Sequence, residues 1–286
     1  MTAAATAKAA TLIEALPYIR SYRNRVVVVK LGGEPLDDPV LASRVAEDVA
    51  LLALVGVAVV VVHGGGPQIS RAMQRHGVEP RFVGGLRVTD DASMEVVRTT
   101  LVGEINAELV RRLNSAGVCA VGLSGIDAAS IVAETPRGSE GRQLGRVGTV
   151  TAIRTDLLRT LLDSGFTPVV ASLGVSAAGE TLNVNADVAA AAVAGALAAE
   201  KLVYVTNVDG LYRDLGDPAS LVSEMKRDDL EALVPELSDG MRPKMESALA
   251  ALDAGVAKVH VLDGRVEHAL LLEIFTTDGI GTQVLP

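Results

Sequence analysis

Two stretches of this chain share one arrangement of residues, and it is an arrangement suited to anions. In Val26-Val27-Val28-Val29-Lys30-Leu31-Gly32-Gly33 and in Val59-Val60-Val61-Val62-His63-Gly64-Gly65-Gly66-Pro67, four valines run into glycines. A β-branched run without polar alternation suits a parallel strand covered on both faces. Consecutive glycines leave backbone N–H groups bare, free to converge on a negative group. Lys30 adds a cation at the first strand end. With a helical segment between them the two stretches make one βαβ unit, whose glycine tips are expected to face each other across an anionic ligand. A helix at 67–76 starts directly on the triple glycine and points its positive end at the same place.

The elements that must hold these tips follow from periodicity and punctuation. Leu12, Ile13, Leu16 and Ile19 have helical spacing, which predicts a helix over 11–22 ahead of the sheet. Helices are expected at 39–54, 91–115, 155–164, 187–199, 228–234 and 244–254. Strands are expected at 57–62, 120–123, 168–171, 201–206, 258–262 and 281–284. The polar, glycine-containing stretch 130–150 reads as an excursion of antiparallel strands. The segment 187–199 is almost pure alanine, which lets a helix approach a sheet closely. Taken singly, Asp187 reads as the N-cap of that helix and His63 as a structural strand-end residue. Gly174, Ser176 and Gly179 cluster where a lobe boundary is expected, giving an N-terminal helix at 1–24, a first lobe at 25–178 and a second at 179–286.

Bulk properties narrow the class. The chain has 286 residues, 49% of them hydrophobic but only 2% aromatic and none Trp, so Val, Leu and Ala must build the core. A formal net charge of −9 argues against nucleic acid or an anionic membrane as partner, so any anion site must be local. A single cysteine, Cys119, rules out an internal disulfide framework, and no Cys/His cluster has zinc spacing. No apolar run reaches spanning length, and a cytoplasmic location is expected.

Five segments carry polar groups at turn positions: 30–33, 63–67, Gly85-Leu86-Arg87-Val88-Thr89, Asn183-Val184-Asn185-Ala186-Asp187 and Asp239-Gly240-Met241-Arg242-Pro243-Lys244. Together and in this order they resemble the amino acid kinase family, over almost the whole span from Val26 to Val284. The chain has no G-x-x-x-x-G-K-[ST] match, and this family is not built on a P-loop. The resemblance implies an open, mainly parallel three-layer α/β/α sheet with an extra N-terminal helix. It also implies transfer of the ATP γ-phosphoryl group to the side-chain carboxylate of N-acetyl-L-glutamate, a step of arginine biosynthesis. By the same resemblance Lys30 and Lys244 neutralise the moving phosphoryl, Asp187 holds the two lysines, and Gly32, Gly33, Gly64 and Gly65 cradle the phosphoryl. Arg87 clamps the α-carboxylate of the acyl amino acid, with Asn183 and Asn185 nearby. Thr206, Asp209, Tyr212 and Met241 match the nucleotide-binding region. Magnesium is expected to arrive with ATP rather than in a protein cage. An aminoadipate derivative is the alternative substrate, and a non-catalytic amino acid sensor the alternative class.

The N-terminal helix points to the arginine-inhibited branch, which assembles as hexamers built from three dimers. In that branch Tyr18, His260, Glu273 and Gly279 match the effector site, with Glu273 pairing the arginine guanidinium. Two departures from the family pattern stand out. Glu34-Pro35-Leu36-Asp37 follows Gly33 in place of small residues. The excursion 138–148 carries Arg142 and Arg146 and is followed by Thr149 where an acidic residue is expected.

Overall fold

A computed structural model describes residues 3–136, 143–213, 217, 220–238, 240–276 and 279–286. Arg142 and Asp239 of the motifs above, with residues 137–141 of the polar excursion, lie outside the described residues.

Helix α1 (Ala3–Tyr22) precedes β1 (Val26–Leu31). A helical turn, α2 (Glu34–Asp37), and α3 (Pro39–Leu54) lead to β2 (Ala58–His63), which breaks into α4 (Gly66–Arg75). A hairpin of β3 (Phe82–Val83) and β4 (Leu86–Arg87) comes before α5 (Asp91–Arg98), a π-helical stretch Thr99–Asn106, and α6 (Ala107–Ser115). Next are β5 (Ala120–Ser124), β6 (Ile131–Glu134), β7 (Val147–Ile153), α7 (Asp156–Asp163), β8 (Thr167–Ala171), β9 (Leu173–Val175) and β10 (Thr181–Val184). The second half runs through α8 (Ala186–Ala196), β11 (Lys201–Thr206), β12 (Leu211–Tyr212), β13 (Leu221–Val222) and β14 (Glu224–Lys226). It ends with α9 (Arg227–Leu233), α10 (Arg242–Asp253), β15 (Val259–Asp263), α11 (Ala269–Phe275) and β16 (Thr282–Leu285).

Eight strands form the main sheet in the order β14-β16-β15-β11-β1-β2-β8-β5. The six from β15 to β5 are parallel, and β16 turns antiparallel against β15. The valine runs are unbroken because helices cover both faces. Val27, Val29, Val59 and Val61 pack with residues of α3 and α4, while Val28, Val60 and Val62 pack with the alanines of α8 and with Met245 and Ala248 of α10. Since side chains alternate along a strand, Lys30 shares the α8 and α10 face with Val28. The expected three-layer sheet is therefore the architecture, and the strand ends that carry glycines all lie along its C-terminal edge, the usual ligand crevice of open α/β sheets.

Several elements differ in detail from expectation. Helix α1 starts at Ala3, because its alanine-rich beginning has helix propensity without an apolar stripe. Its last turns pack Ala15, Tyr18, Ile19 and Tyr22 on the chain's own core, leaving Leu12 and Ile13 exposed. The long helix at 91–115 passes through the wider π geometry at 99–106, a device common at functional sites. The antiparallel excursion is present as β6 and β7, and β9 and β10 join it in a closed four-stranded ring. The N-cap of α8 is Asn185, not Asp187: its Oδ1 accepts from the Asp187 N–H at 2.8 Å and from the Val188 N–H at 3.3 Å. Capping by Asn185 leaves the Asp187 carboxylate available for other partners.

At the C-terminal end of β5, Asp127 folds back to accept from the Ser124 N–H at 2.6 Å, and Ala128 and Ala129 sit in the left-handed region at φ 51° and 49°. That conformation costs a residue with a Cβ roughly 1–2 kcal/mol, partly offset by the greater unfolded-state freedom of glycine. Ala128→Gly is accordingly expected to stabilise the chain by about 0.5–1 kcal/mol, seen as a raised midpoint in thermal denaturation.

Candidate active site

One carboxylate organises the C-terminal edge of the sheet. Asp187, in the first turn of α8, meets the Lys30 Nζ at 2.7 Å through Oδ1 and the Lys244 Nζ at 2.9 Å through Oδ2. Lys30 reaches it from the end of β1 and Lys244 from the start of α10, so three separate elements converge on the pair of oxygens. All three side chains are largely buried. Burial alone would raise the Asp187 carboxyl, but the two ammonium groups, Lys30 first, hold it well below the usual carboxylate range. Burial, reinforced by the neighbouring Lys30, pushes the Lys244 ammonium down to about 8.

The glycines shape the space in front of this triad. A Cβ on Gly32 would lie 2.5 Å from the Lys30 Nζ, so the lysine can fold back over the loop only because nothing projects there. A Cβ on Gly65 would overlap the Cδ1 of Ile105, which lets the π-helical stretch press against the second loop. Lys30, Asp187, Gly32, Gly33, Gly64, Gly65, Arg87, Asn183 and Asn185 line one cavity of about 230 Å³. The structure thus brings together the groups assigned from sequence to the phosphoryl group and the acyl amino acid, except Lys244, which reaches the cavity through Asp187.

Arg87 is buried against the wall of that cavity. Its Nη2 donates to the Gly66 carbonyl and to the Ser70 hydroxyl, both at 2.8 Å, and its guanidinium lies 4.7 Å from the Phe82 ring centre. Helix α4 and the β3–β4 hairpin therefore fix its orientation. The Asn183 side chain donates to the Thr89 hydroxyl at 3.1 Å. His63 is fully buried beneath the Gly64 loop, and burial pushes it down to about 4. As a neutral ring it donates from Nδ1 to the Gly64 carbonyl at 3.0 Å and accepts at Nε2 from the Asn106 side chain at 3.0 Å. Asn106 also donates to the carbonyls of Leu123 and Val169, tying the loop to two further strands. His63 is structural, as expected, and Asn106 is its unforeseen partner.

Beyond α10 lies a second cavity of about 470 Å³, lined by Asp209, Tyr212, Met241 and Arg265 among others. Three of the four residues assigned to the nucleotide meet there; Thr206 ends β11 outside its lining. The Tyr212 hydroxyl donates to Asp209 at 2.6 Å, and Arg265 donates to Asp263 at 2.7 Å. A third cavity, about 720 Å³, opens between α1, α11 and β16 and contains Tyr18, Glu273 and Gly279. His260 is fully buried behind it and contacts Glu273. Glu273 also faces Lys201 at 3.6 Å and accepts from the Ile280 N–H at 3.0 Å. Lys201 escaped the sequence reading, although a lysine opening an otherwise apolar buried strand was its signal. Asp209 lines both the second and the third cavity.

Among the described residues no group of His, Cys, Asp and Glu could hold a metal ion, and no helix is long and apolar enough to cross a membrane.

Comparison with known proteins gives a consistent picture. The sequence profile of the amino acid kinase family matches residues 25–263. An acetylglutamate kinase of Symbiobacterium thermophilum is 47% identical, covering 97% of each chain. One from Acidothermus cellulolyticus is 49% identical over 99% of this chain and 98% of its own. Among solved structures, N-acetylglutamate synthase from Neisseria gonorrhoeae, complexed with coenzyme A and N-acetyl-glutamate, superposes with a TM-score of 0.87 at 31% identity. That match covers 97% of this chain but 63% of the synthase chain. Carbamate kinase from Giardia lamblia bound to AMP-PNP shares the fold, with a TM-score of 0.67 at 16% identity over 92% of this chain and 98% of its own.

The burial of Lys244 has a direct readout. In a chain labelled with 13C at the lysine ε carbons, the Lys244 resonance is expected to titrate near pH 8, well below the ordinary lysine value of about 10.4. Asp187→Asn removes the shared counter-charge, so the same resonance should titrate at still lower pH.

Proposed function

This chain belongs to the amino acid kinase family, and we propose on that footing that it transfers the γ-phosphoryl group of ATP to the side-chain carboxylate of N-acetyl-L-glutamate. The observation that carries the reading is the triad itself: two lysines from opposite sides of one aspartate, beside glycine loops and a buried arginine. A substrate carboxylate is already nucleophilic, so the site needs no general base. Its oxygen attacks the γ-phosphorus, and the bond to the bridging oxygen breaks. ADP leaves with the electron pair, and an acyl phosphate forms. Negative charge spreads over the phosphoryl and both flanking oxygens, and positioned cations lower that barrier most. Lys30 and Lys244 supply the cations, and Asp187 sets their separation. Glycine N–H groups hold the phosphoryl, while Arg87, fixed by α4, presents its fork to the α-carboxylate. The cavity lined by Tyr212 and Met241 takes the nucleotide. Both Asp187 oxygens already face ammonium groups, so magnesium, in this reading, is held by phosphate and water.

Arginine is the proposed effector. The cavity of Tyr18, Glu273 and Gly279 supports it, since a carboxylate, an aromatic ring and a bend in the chain converge there. The exposed Leu12 and Ile13 support an isologous contact between α1 helices that joins three dimers into a hexamer.

The decisive assay is coupled ADP release with N-acetylglutamate, glutamate, aspartate and aminoadipate derivatives as acceptors; preference for N-acetylglutamate is expected, and silence with it would overturn the reading. Lys30→Ala and Lys244→Ala are each expected to lower kcat by at least about a hundredfold, as when a transition-state charge partner is lost, with circular dichroism unchanged. Removal of residues 1–22 should reduce a hexamer to dimers in light scattering and weaken arginine inhibition while catalysis persists.

A further inference from the structure

Tyr204 is the largest fully buried side chain among the described residues, and its position is not that of a simple core residue. It pairs with Lys30 in register across β1 and β11, so both side chains rise from the same face of the sheet, toward α8 and α10. The face of its ring lies 5.1 Å from the Lys244 Nζ, inside the range of a cation–π contact. Its hydroxyl is 2.8 Å from the Ser247 hydroxyl. The Ser247 hydroxyl in turn donates to the Lys244 carbonyl at 2.7 Å, so the phenol is left to donate to Ser247. The phenol stays neutral, because burial first, and the Asp187 charge second, raise it well above its ordinary value.

We infer that Tyr204 is a positioning residue for phosphoryl transfer, whose ring face keeps the Lys244 ammonium charged and in place opposite Lys30. The inference rests on the role assigned to Lys244 above. Among the described residues, the charged groups facing that ammonium are Lys30 from β1, which repels it, and Asp187 from α8, which it shares with Lys30. Arg227 and Asp253 pair with each other at the far end of α10. Two ammonium groups on one largely buried carboxylate leave a surplus positive charge that is largely shielded from water. The electron-rich ring face of Tyr204 is a further group, among the described residues, that offsets it. Tying the phenol to Ser247 on the helix of Lys244 itself holds ring and ammonium at a fixed separation.

Replacing Tyr204 tests this through the protonation of Lys244. With Tyr204→Leu the offset is lost and the charged form becomes less favourable, so the alkaline limb of the kcat profile, which follows deprotonation of Lys244, should move to lower pH by about one unit. KM for both substrates should change little. Tyr204→Phe keeps the ring face and should keep the limb where it is. Because Tyr204→Leu opens space in the core, a series of fluorinated phenylalanines at position 204 supplies the same test at constant shape: each added fluorine drains the ring face and should move the limb further toward acid. The 13C titration of Lys244, identified by its loss in Lys244→Arg, follows the same shift without substrate. A limb and a titration that stay fixed across the series would overturn the inference. If instead the unsubstituted chain fails to turn over N-acetylglutamate, the proposed reaction falls while the substrate-free titration still decides the role of the ring.

Discussion

Two ammonium groups held by one buried carboxylate are the constraint on which the rest of this structure turns. Each cation would repel the other and each would sooner be solvated, so the cluster exists only because Asp187 neutralises part of the charge and because the surrounding layers prevent escape. The cost of that burial is visible in Lys244, whose ammonium is pushed down to about 8. Breaking a buried pair by removing one partner is far more destabilising than never having built it. The carboxylate is therefore both a structural necessity and the ruler that sets the spacing of two cations.

The fold supplies what the cluster demands. A parallel sheet covered on both faces delivers Lys30 and the glycine loops to one edge. The alanine-rich α8 approaches closely enough for its first turn to sit over that edge. Helix α10 brings Lys244 from the other side. None of these elements needs to be long or unusual. Their contribution is direction, since strand register places Lys30 beside Tyr204 and Asn185 takes over the capping duty that would otherwise occupy Asp187.

Much of this was legible in the residues. Valine runs without polar alternation announce buried parallel strands, and β1, α3 and β11 lie where periodicity puts them. Lys30, Asp187 and Arg87 are picked out by the ordered set of motifs that resembles the amino acid kinase family, since Asp187 taken singly reads as a helix cap and the other two as ordinary surface charges. What escaped was set by long-range contact. Tyr204 reads as one apolar residue in an apolar strand, and only the arrival of α10, some forty residues later, turns its face into an electrostatic surface. Asn106 lies mid-helix by pattern, and the π geometry that turns it toward His63 has no marker in composition. His260 falls behind the cavity instead of in its lining because Glu273, which it contacts, stands between it and the open space, and spacing along the chain does not reveal which side chain will cover another.

Asp209 is a wall common to two cavities, held by the Tyr212 hydroxyl and faced by Arg265 at 3.7 Å. A partition of this kind has no preferred direction. Whatever occupies the cavity next to Met241 and displaces the carboxylate changes the free energy of filling the cavity beneath α1, and the reverse change is equal in size by thermodynamic necessity. Two ligands that never touch would then read each other's presence through one side chain, and each ligand's measured affinity would depend on the concentration of the other.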